Sequence, residues 1–81
     1  MKLTVDWRGA FERDVRNLPN KEVAERLCKA IQEFADTGTG PVTRYNSENP
    51  RRLKLIVRGA VAYLFADERE EILYVGRAYR R

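Results

Sequence analysis

The stretch from residue 51 to residue 81 most constrains the fold, because it has the pattern of three consecutive β-strands. Residues 51–57 predict the first strand, with Leu53, Leu55 and Val57 on one face and charged residues on the other, as in a strand with one buried and one solvated face. The charged residues are Arg52, Lys54 and, just after the strand, Arg58. Arg58-Gly59 comes next and predicts a turn, because glycine tolerates the positive φ of tight hairpins.

The two strands that complete this stretch differ in polarity. Residues 60–66 carry no charge, which is typical of a strand in the middle of a sheet. Phe65 in this strand is a predicted core residue. Residues 67–70 predict a polar loop, and the last strand, residues 72–79, begins apolar and ends basic. The solvated face of this meander is therefore expected to carry basic side chains.

The chain begins with a predicted strand and a short helix. Residues 2–7 alternate between apolar and polar side chains, as a short strand does. Residues 10–18 predict a helix that ends at Pro19. Its apolar stripe consists of Phe11, Val15 and Leu18.

A second, longer helix is predicted over residues 21–36. Asn20 is its candidate N-cap, and the glycines and proline of residues 37–41 end it. Leu27 lies in its apolar stripe and is a predicted core residue, and Cys28 flanks that stripe at the edge of the core.

These elements predict one α+β domain spanning residues 1–81. Residues 42–45 add a short basic strand, and residues 46–50 form a loop that leads into the meander. The order is β-α-α-β-β-β-β, with a two-helix hairpin packed on one face of a small, mostly antiparallel sheet. The other face is expected to stay open to solvent and to be basic.

The net charge of +4 is unevenly distributed. Residues 1–50 contain eight Lys/Arg and eight Asp/Glu, whereas residues 51–81 contain eight Lys/Arg against four acidic residues. A basic excess confined to one segment suggests a polyanionic partner. The alternative interpretation is a merely solvated surface.

Composition excludes several kinds of chemistry. The chain has no histidine and one cysteine, so neither a structural zinc site nor a Cys/His nucleophile pair is expected. Ser47, the lone serine, has no histidine to activate it, which rules out a Ser-His-Asp triad. We expect neither a metal nor a cofactor.

Composition also bears on location. No apolar run approaches the roughly 20 residues of a membrane span, and no cleavable signal is visible at the start of the chain. A single cysteine fits a reducing compartment. We therefore expect a cytoplasmic protein without a membrane partner.

After these exclusions, the residues that could carry chemistry are a set of cations with tyrosines among them. Arginine makes bidentate contacts to phosphate, and tyrosine stacks on unpaired bases. Such groups can also cleave RNA without histidine or metal. One cation stabilises the charge of the phosphorane, while another cation or a tyrosine moves the protons of the 2′-OH and the 5′-oxygen. A basic strand face is more often only a binding surface, so a non-catalytic nucleic-acid- or protein-binding module is an alternative.

The order of short motifs along the chain adds to this interpretation. An opening strand ends in Trp7, Leu18-Pro19 separates two helices, and Arg52-Leu53-Lys54-Leu55 precedes a turn glycine. An apolar strand with Tyr63, an acidic turn and the block from Ile72 to Arg77 complete the series. In this order and spacing the chain resembles the RelE/ParE-superfamily toxins of type II toxin–antitoxin systems, over nearly its whole length.

The resemblance implies a toxin that a cognate antitoxin protein neutralises. RelE-type members are ribosome-dependent endoribonucleases that cut messenger RNA in the decoding site, whereas ParE-type members inhibit DNA gyrase. The usual arginine after the turn glycine has no counterpart in residues 60–63, and Arg58 is the nearest substitute. The candidate catalytic residues are Lys54, Arg77 and Tyr79. The candidate RNA-binding residues are Arg52, Arg58, Arg80, Arg81 and Tyr45.

Overall fold

The structure is a computed structural model that describes residues 2–45, 48–49 and 51–81. Its elements follow the predicted order, which confirms the α+β class. Most of the predicted loop 46–50 lies outside the described residues. The elements are β1 (Thr4–Trp7), α1 (Gly9–Arg16), α2 (Lys21–Thr37), β2 (Val42–Arg44), β3 (Arg52–Val57), β4 (Ala60–Asp67) and β5 (Ile72–Arg80).

The five strands form one mixed sheet in the order β1-β5-β4-β3-β2. Strand β1 runs parallel to β5, and the other pairs are antiparallel. The charge-free strand β4 lies in the middle, as its composition predicted. The turn between β3 and β4 is also confirmed, because Gly59 has a φ of 94° that other residues rarely adopt.

Helix α2 begins and ends where local chemistry predicts. The Asn20 side chain accepts a hydrogen bond of 2.7 Å from the Glu22 amide, as an N-cap does. At the other end Gly38 adopts a φ of 77°, and its amide donates to the Phe34 carbonyl. No helix in the described part of the chain is long and apolar enough to cross a membrane.

The core lies between the helices and one face of the sheet. From α2, Leu27, Ile31 and Phe34 are buried against strand residues such as Leu55 and Leu73. The partly buried Cys28 packs at the edge of this core, as predicted, and burial raises the pKa of its thiol.

The prediction that Phe65 belongs to the core is wrong. Its neighbours Leu64 and Ala66 are buried on the helix side, whereas Phe65 pairs with Arg52 and Tyr74 and is only half-buried. Because successive side chains of a strand alternate, Phe65 lies on the opposite face of the sheet. The absence of charge in a strand shows that both of its faces are apolar. It does not show that other elements pack on both faces.

Candidate nucleic-acid interface on the open sheet face

The sheet face opposite the helices, which we call the open face, has an aromatic floor with cations around it. The sequence predicted that this face is basic and that Tyr45 and Tyr79 belong to the site, but it did not predict the aromatic floor. The register places on it Arg52 and Lys54 from β3, Tyr63 and Phe65 from β4, and Tyr74, Arg77 and Tyr79 from β5.

Three tyrosines form a continuous row of ring contacts on this face. The Tyr45 and Tyr63 ring centroids are 5.1 Å apart with an interplanar angle of 87°, and those of Tyr63 and Tyr79 are 5.8 Å apart at 77°. Such edge-to-face pairs are favourable arrangements of aromatic rings. The row leaves Tyr45 and Tyr79 among the most exposed large apolar side chains. These rings are therefore accessible to unstacked bases.

Each of three guanidinium groups lies near an aromatic ring of the open face. The Cζ atom of Arg8 is 4.8 Å from the Tyr74 ring centroid. The Arg52 Cζ is 5.8 Å from the Phe65 centroid, which fixes that cation beside the floor. The third contact joins Arg77 to Tyr79 at 5.5 Å. Cation–π contacts of this kind hold arginine side chains in place while their N–H donors remain available.

Lys54, Tyr63 and Arg77 lie in one row across three strands. Tyr63 pairs with Lys54 on one side and with Arg77 on the other. Because adjacent strands are nearly 5 Å apart, the backbones of the two cationic residues are about 10 Å apart. Lys54 is half-buried and forms no ion pair within the described part of the chain.

A β-bulge at Gly76 puts Arg77 on the open face. Val75 pairs with Leu64, but Arg77 pairs with Tyr63, so Gly76 is an extra residue in β5. Without it, strict alternation from the buried Val75 would turn residue 77 toward the helices. With it, Ala78 is the buried residue and Arg77 is exposed. A single inserted residue therefore decides which face carries the cation.

Arg77 is also held by helix α1. Its Nε donates to Asp14 Oδ2 at 2.7 Å, and its Nη2 donates to Asp14 Oδ1 at 3.2 Å. The hydrogen bond from Arg77 lowers the pKa of the Asp14 carboxyl, and one from the Ala78 amide adds to this, against the opposing effect of desolvation. In return, Asp14 raises the pKa of Arg77. Asp14 is therefore a carboxylate and Arg77 a cation at neutral pH.

The cations and rings enclose a shallow cavity of about 190 Å³. Pockets that bind drug-sized molecules are usually larger, about 300 Å³ or more. The shape therefore suits a polymer laid across the sheet better than an enclosed small molecule. The lining residues are Arg8, Tyr45, Arg52, Tyr63, Leu64, Phe65, Tyr74, Gly76 and Arg77.

The predicted RNA-binding residues divide into two groups. Arg52 and Tyr45 line the cavity, together with the predicted catalytic residue Arg77, and Tyr79 contacts Arg77. Arg58, Arg80 and Arg81 instead lie at the β3–β4 hairpin, where the Arg81 amide donates to the Gly59 carbonyl and Arg80 pairs with Ala60. This end of the sheet is three residues, or about 10 Å, from the Lys54 row. The structure does not bring this second group to the cavity.

Four residues of the site were missed at the level of sequence. Tyr63, Phe65 and Tyr74 have an ordinary apolar strand pattern, and their shared face follows only from the register. Arg8 follows β1 and was not predicted as a site residue. It reaches Tyr74 because β1 pairs with β5, which no local pattern reveals.

A larger cavity of about 340 Å³ lies elsewhere. Its described lining contains no tyrosine or lysine, and the Glu68 carboxylate lies there with two arginines. Within the described ranges no cluster of three or more His, Cys, Asp or Glu residues is placed to hold a metal ion. This cavity is lined by Phe34, Val42, Arg44, Arg51, Leu53, Ala66 and Glu68.

Comparison with known proteins defines the fold. No protein-family model matches the chain, and no curated protein matches it significantly. Among solved structures it is similar to a chain of the RelBE2 toxin–antitoxin complex from Mycobacterium tuberculosis, with a TM-score of 0.78 and 15% sequence identity over 100% of both chains. The chain therefore has an α+β fold of the RelE-like type, as the resemblance implied.

Proposed function

We propose that this protein is the toxin of a type II toxin–antitoxin pair and that it cleaves messenger RNA on the ribosome without a metal. The observation that carries this proposal is the arrangement of Arg8, Arg52 and Arg77 on aromatic rings beside Lys54. The fold shared with a chain of a toxin–antitoxin complex supports it. Guanidinium groups and exposed tyrosines together match the phosphates and unstacked bases of a single strand.

In the proposed reaction the 2′-oxygen attacks the adjacent phosphorus and the bond to the 5′-oxygen breaks. The 2′-OH gives up its proton, and the leaving 5′-oxygen gains one, so the products are a cyclic phosphate and a 5′-hydroxyl. The Arg77 guanidinium stabilises the negative charge that develops on the phosphorane. Lys54 and Tyr79 are the candidates for moving the two protons, because Tyr79 contacts Arg77 and Lys54 lies across Tyr63 from Arg77 on the open face.

The partner that we propose is an antitoxin protein with acidic and apolar residues. The complex that contains the similar chain is a toxin–antitoxin complex, and the net charge of +4 here favours an acidic partner. The proposed site of action is the cytoplasm, where the ribosomes are. Co-expression with the neighbouring open reading frames should restore growth to cells that express this chain, and the antitoxin should co-purify with it.

Induced expression followed by primer extension on cellular messages tests the nuclease. Cuts within codons and in frame are expected, and the Lys54→Ala protein expressed to the same level should give about 100-fold fewer. Intact messages with an induced DNA-damage response would instead indicate gyrase as the target. Intact messages without that response, together with salt-dependent RNA binding by the isolated chain, would indicate a binding module.

A further inference from the structure

Asp14 takes up only one edge of the Arg77 guanidinium. A guanidinium has five N–H donors in a planar fork. The carboxylate accepts from Nε and from Nη2, which is the side-on edge. Both N–H groups of Nη1 and the second one of Nη2 are left, and together they form an edge suited to bidentate contact with a phosphate. The Arg77 side chain is 53% exposed, so this edge is accessible.

Asp14 is itself held firmly. Its side chain is only 14% exposed, and Oδ2 also accepts a hydrogen bond of 2.9 Å from the Ala78 amide. Strand β1 ends opposite Val75, so the outer edge of β5 has no strand partner at Ala78. Asp14, from the helix that follows β1, satisfies that amide instead. The carboxylate therefore links the position of α1 to the end of β5.

We propose that Asp14 is a positioning residue that fixes Arg77 with its free guanidinium edge toward the reacting phosphate. This inference rests on the proposed function. Without Asp14 the long side chain of Arg77 would be held, within the described ranges, only by the Tyr79 ring, and a ring contact leaves the direction of the N–H donors free. A fixed carboxylate on the side-on edge restricts these donors to one direction. Misplacement by about 1 Å can lower a rate by about 100-fold, which sets the scale of the effect.

If Asp14 acted through its charge alone, its replacement would not slow cleavage. Replacing Asp14 by asparagine removes a negative charge near the site, which should favour RNA. The positioning role instead predicts that the Asp14→Asn protein binds RNA at least as well but cleaves it more slowly. The amide oxygen of asparagine can still accept from the Ala78 amide, so the change leaves that contact in place.

The test is a cycle of Asp14→Asn, Arg77→Ala and the double variant, assayed for mRNA cleavage on purified ribosomes. Asp36→Asn, an acid-to-amide change on the exposed end of α2, is the matched control. We expect Asp14→Asn to lower kcat by about 10-fold to 100-fold without raising KM. The double variant should be no slower than Arg77→Ala alone. The NMR signals of the Arg77 guanidinium, sharp in the wild type, should broaden in Asp14→Asn, because the amide NH₂ group that replaces Oδ1 cannot accept from Nη2.

Any other result contradicts either the positioning role of Asp14 or the proposed function. If the wild type cleaves and Asp14→Asn has an equal or higher kcat, the positioning role is wrong while the proposed function stands. The positioning role also fails if Asp14→Asn slows the Arg77→Ala protein further, because Asp14 then acts through another group. If the wild type leaves mRNA intact on ribosomes, the proposed function fails, and the role of Asp14 in cleavage fails with it.

Discussion

Lys54 and Arg77 flank the same tyrosine, Tyr63, from opposite sides in the central rows of the sheet. Their environments differ. Arg77 is bound to Asp14, whereas Lys54 forms no ion pair with the described residues. The Arg77 guanidinium is therefore fixed in orientation, whereas the Lys54 ammonium has no carboxylate partner among the described residues. Because only Arg77 has a carboxylate partner in this part of the chain, we expect substitution of the two residues to affect stability differently.

Lys54→Ala and Arg77→Ala should each lower mRNA cleavage by about 100-fold or more, the scale of losing one charge-stabilising or proton-transfer group. Lys54→Ala should leave the urea midpoint almost unchanged, since Lys54 makes no ion pair with the described residues that the change would break. Arg77→Ala should lower it slightly, because Asp14 loses its cation. Lys29→Ala, on the exposed side of α2, is the control and should change neither. Full toxicity of both folded variants would reduce the basic face to a docking surface.

Leu27→Ala and Phe65→Ala should separate stability from function. Leu27 is fully buried, so its replacement should cost about 2–5 kcal/mol in the free energy of unfolding. Phe65 is half-buried on the open face, so its replacement should cost less but weaken RNA binding, since the ring lies under the Arg52 cation. Urea unfolding and RNA titration measure the two effects. An equal loss of stability in both variants would contradict the smaller cost expected for the half-buried Phe65.

Gly59→Ala should destabilise the protein by at least about 1 kcal/mol. Gly59 has a φ of 94°, and an added Cβ would lie 3.1 Å from Val23 Cγ2. Gly9→Ala is the matched comparison, because nothing lies within 4 Å of its added Cβ and Gly9 begins α1. That change should stabilise the helix by up to about 1 kcal/mol. Thermal unfolding of the two variants should therefore shift in opposite directions.

The stabilising effect of the Asp14–Arg77 pair should disappear in acid. The hydrogen bond from Arg77, helped by the Ala78 amide and the charges of Arg77 and Arg13, lowers the pKa of Asp14 below its ordinary value of 3.8. A carboxyl whose pKa falls on folding stabilises the native state above its unfolded-state pKa, and that stabilisation is lost as the pH falls through the folded-state pKa. The wild type should therefore exceed Asp14→Asn in urea midpoint at neutral pH.

Measuring the urea midpoints of the wild type and of Asp14→Asn at low pH checks the sign of this effect. The difference between the two midpoints should be constant above about pH 5 and should shrink steadily below it. Arg77→Ala removes the main cause of the lowered pKa, so it should show less loss of stability over this acidic range than the wild type. A difference that stays unchanged down to about pH 2 would show that Asp14 acts on stability through something other than its charge.

The sequence by itself determined the elements and their order, because these depend on local interactions. Asn20 caps α2 through an amide two residues away, and Gly38 and Gly59 adopt backbone angles that favour glycine. The alternation in β3 likewise separated Leu55 from Lys54. Lys54, Arg77 and Tyr79 were chosen from sequence as catalytic residues, and their roles stay predictions.

Only the tertiary structure decided how the cations are arranged. The contact between Asp14 and Arg77 spans 63 positions of sequence, and the parallel pairing of β1 with β5 brings Arg8 to Tyr74. The bulge at Gly76 turns Arg77 outward, against the alternation that Leu73 and Val75 establish. These relationships depend on which strands pair and in what register. Packing of the whole chain fixes both, whereas a residue pattern reports only on its near neighbours.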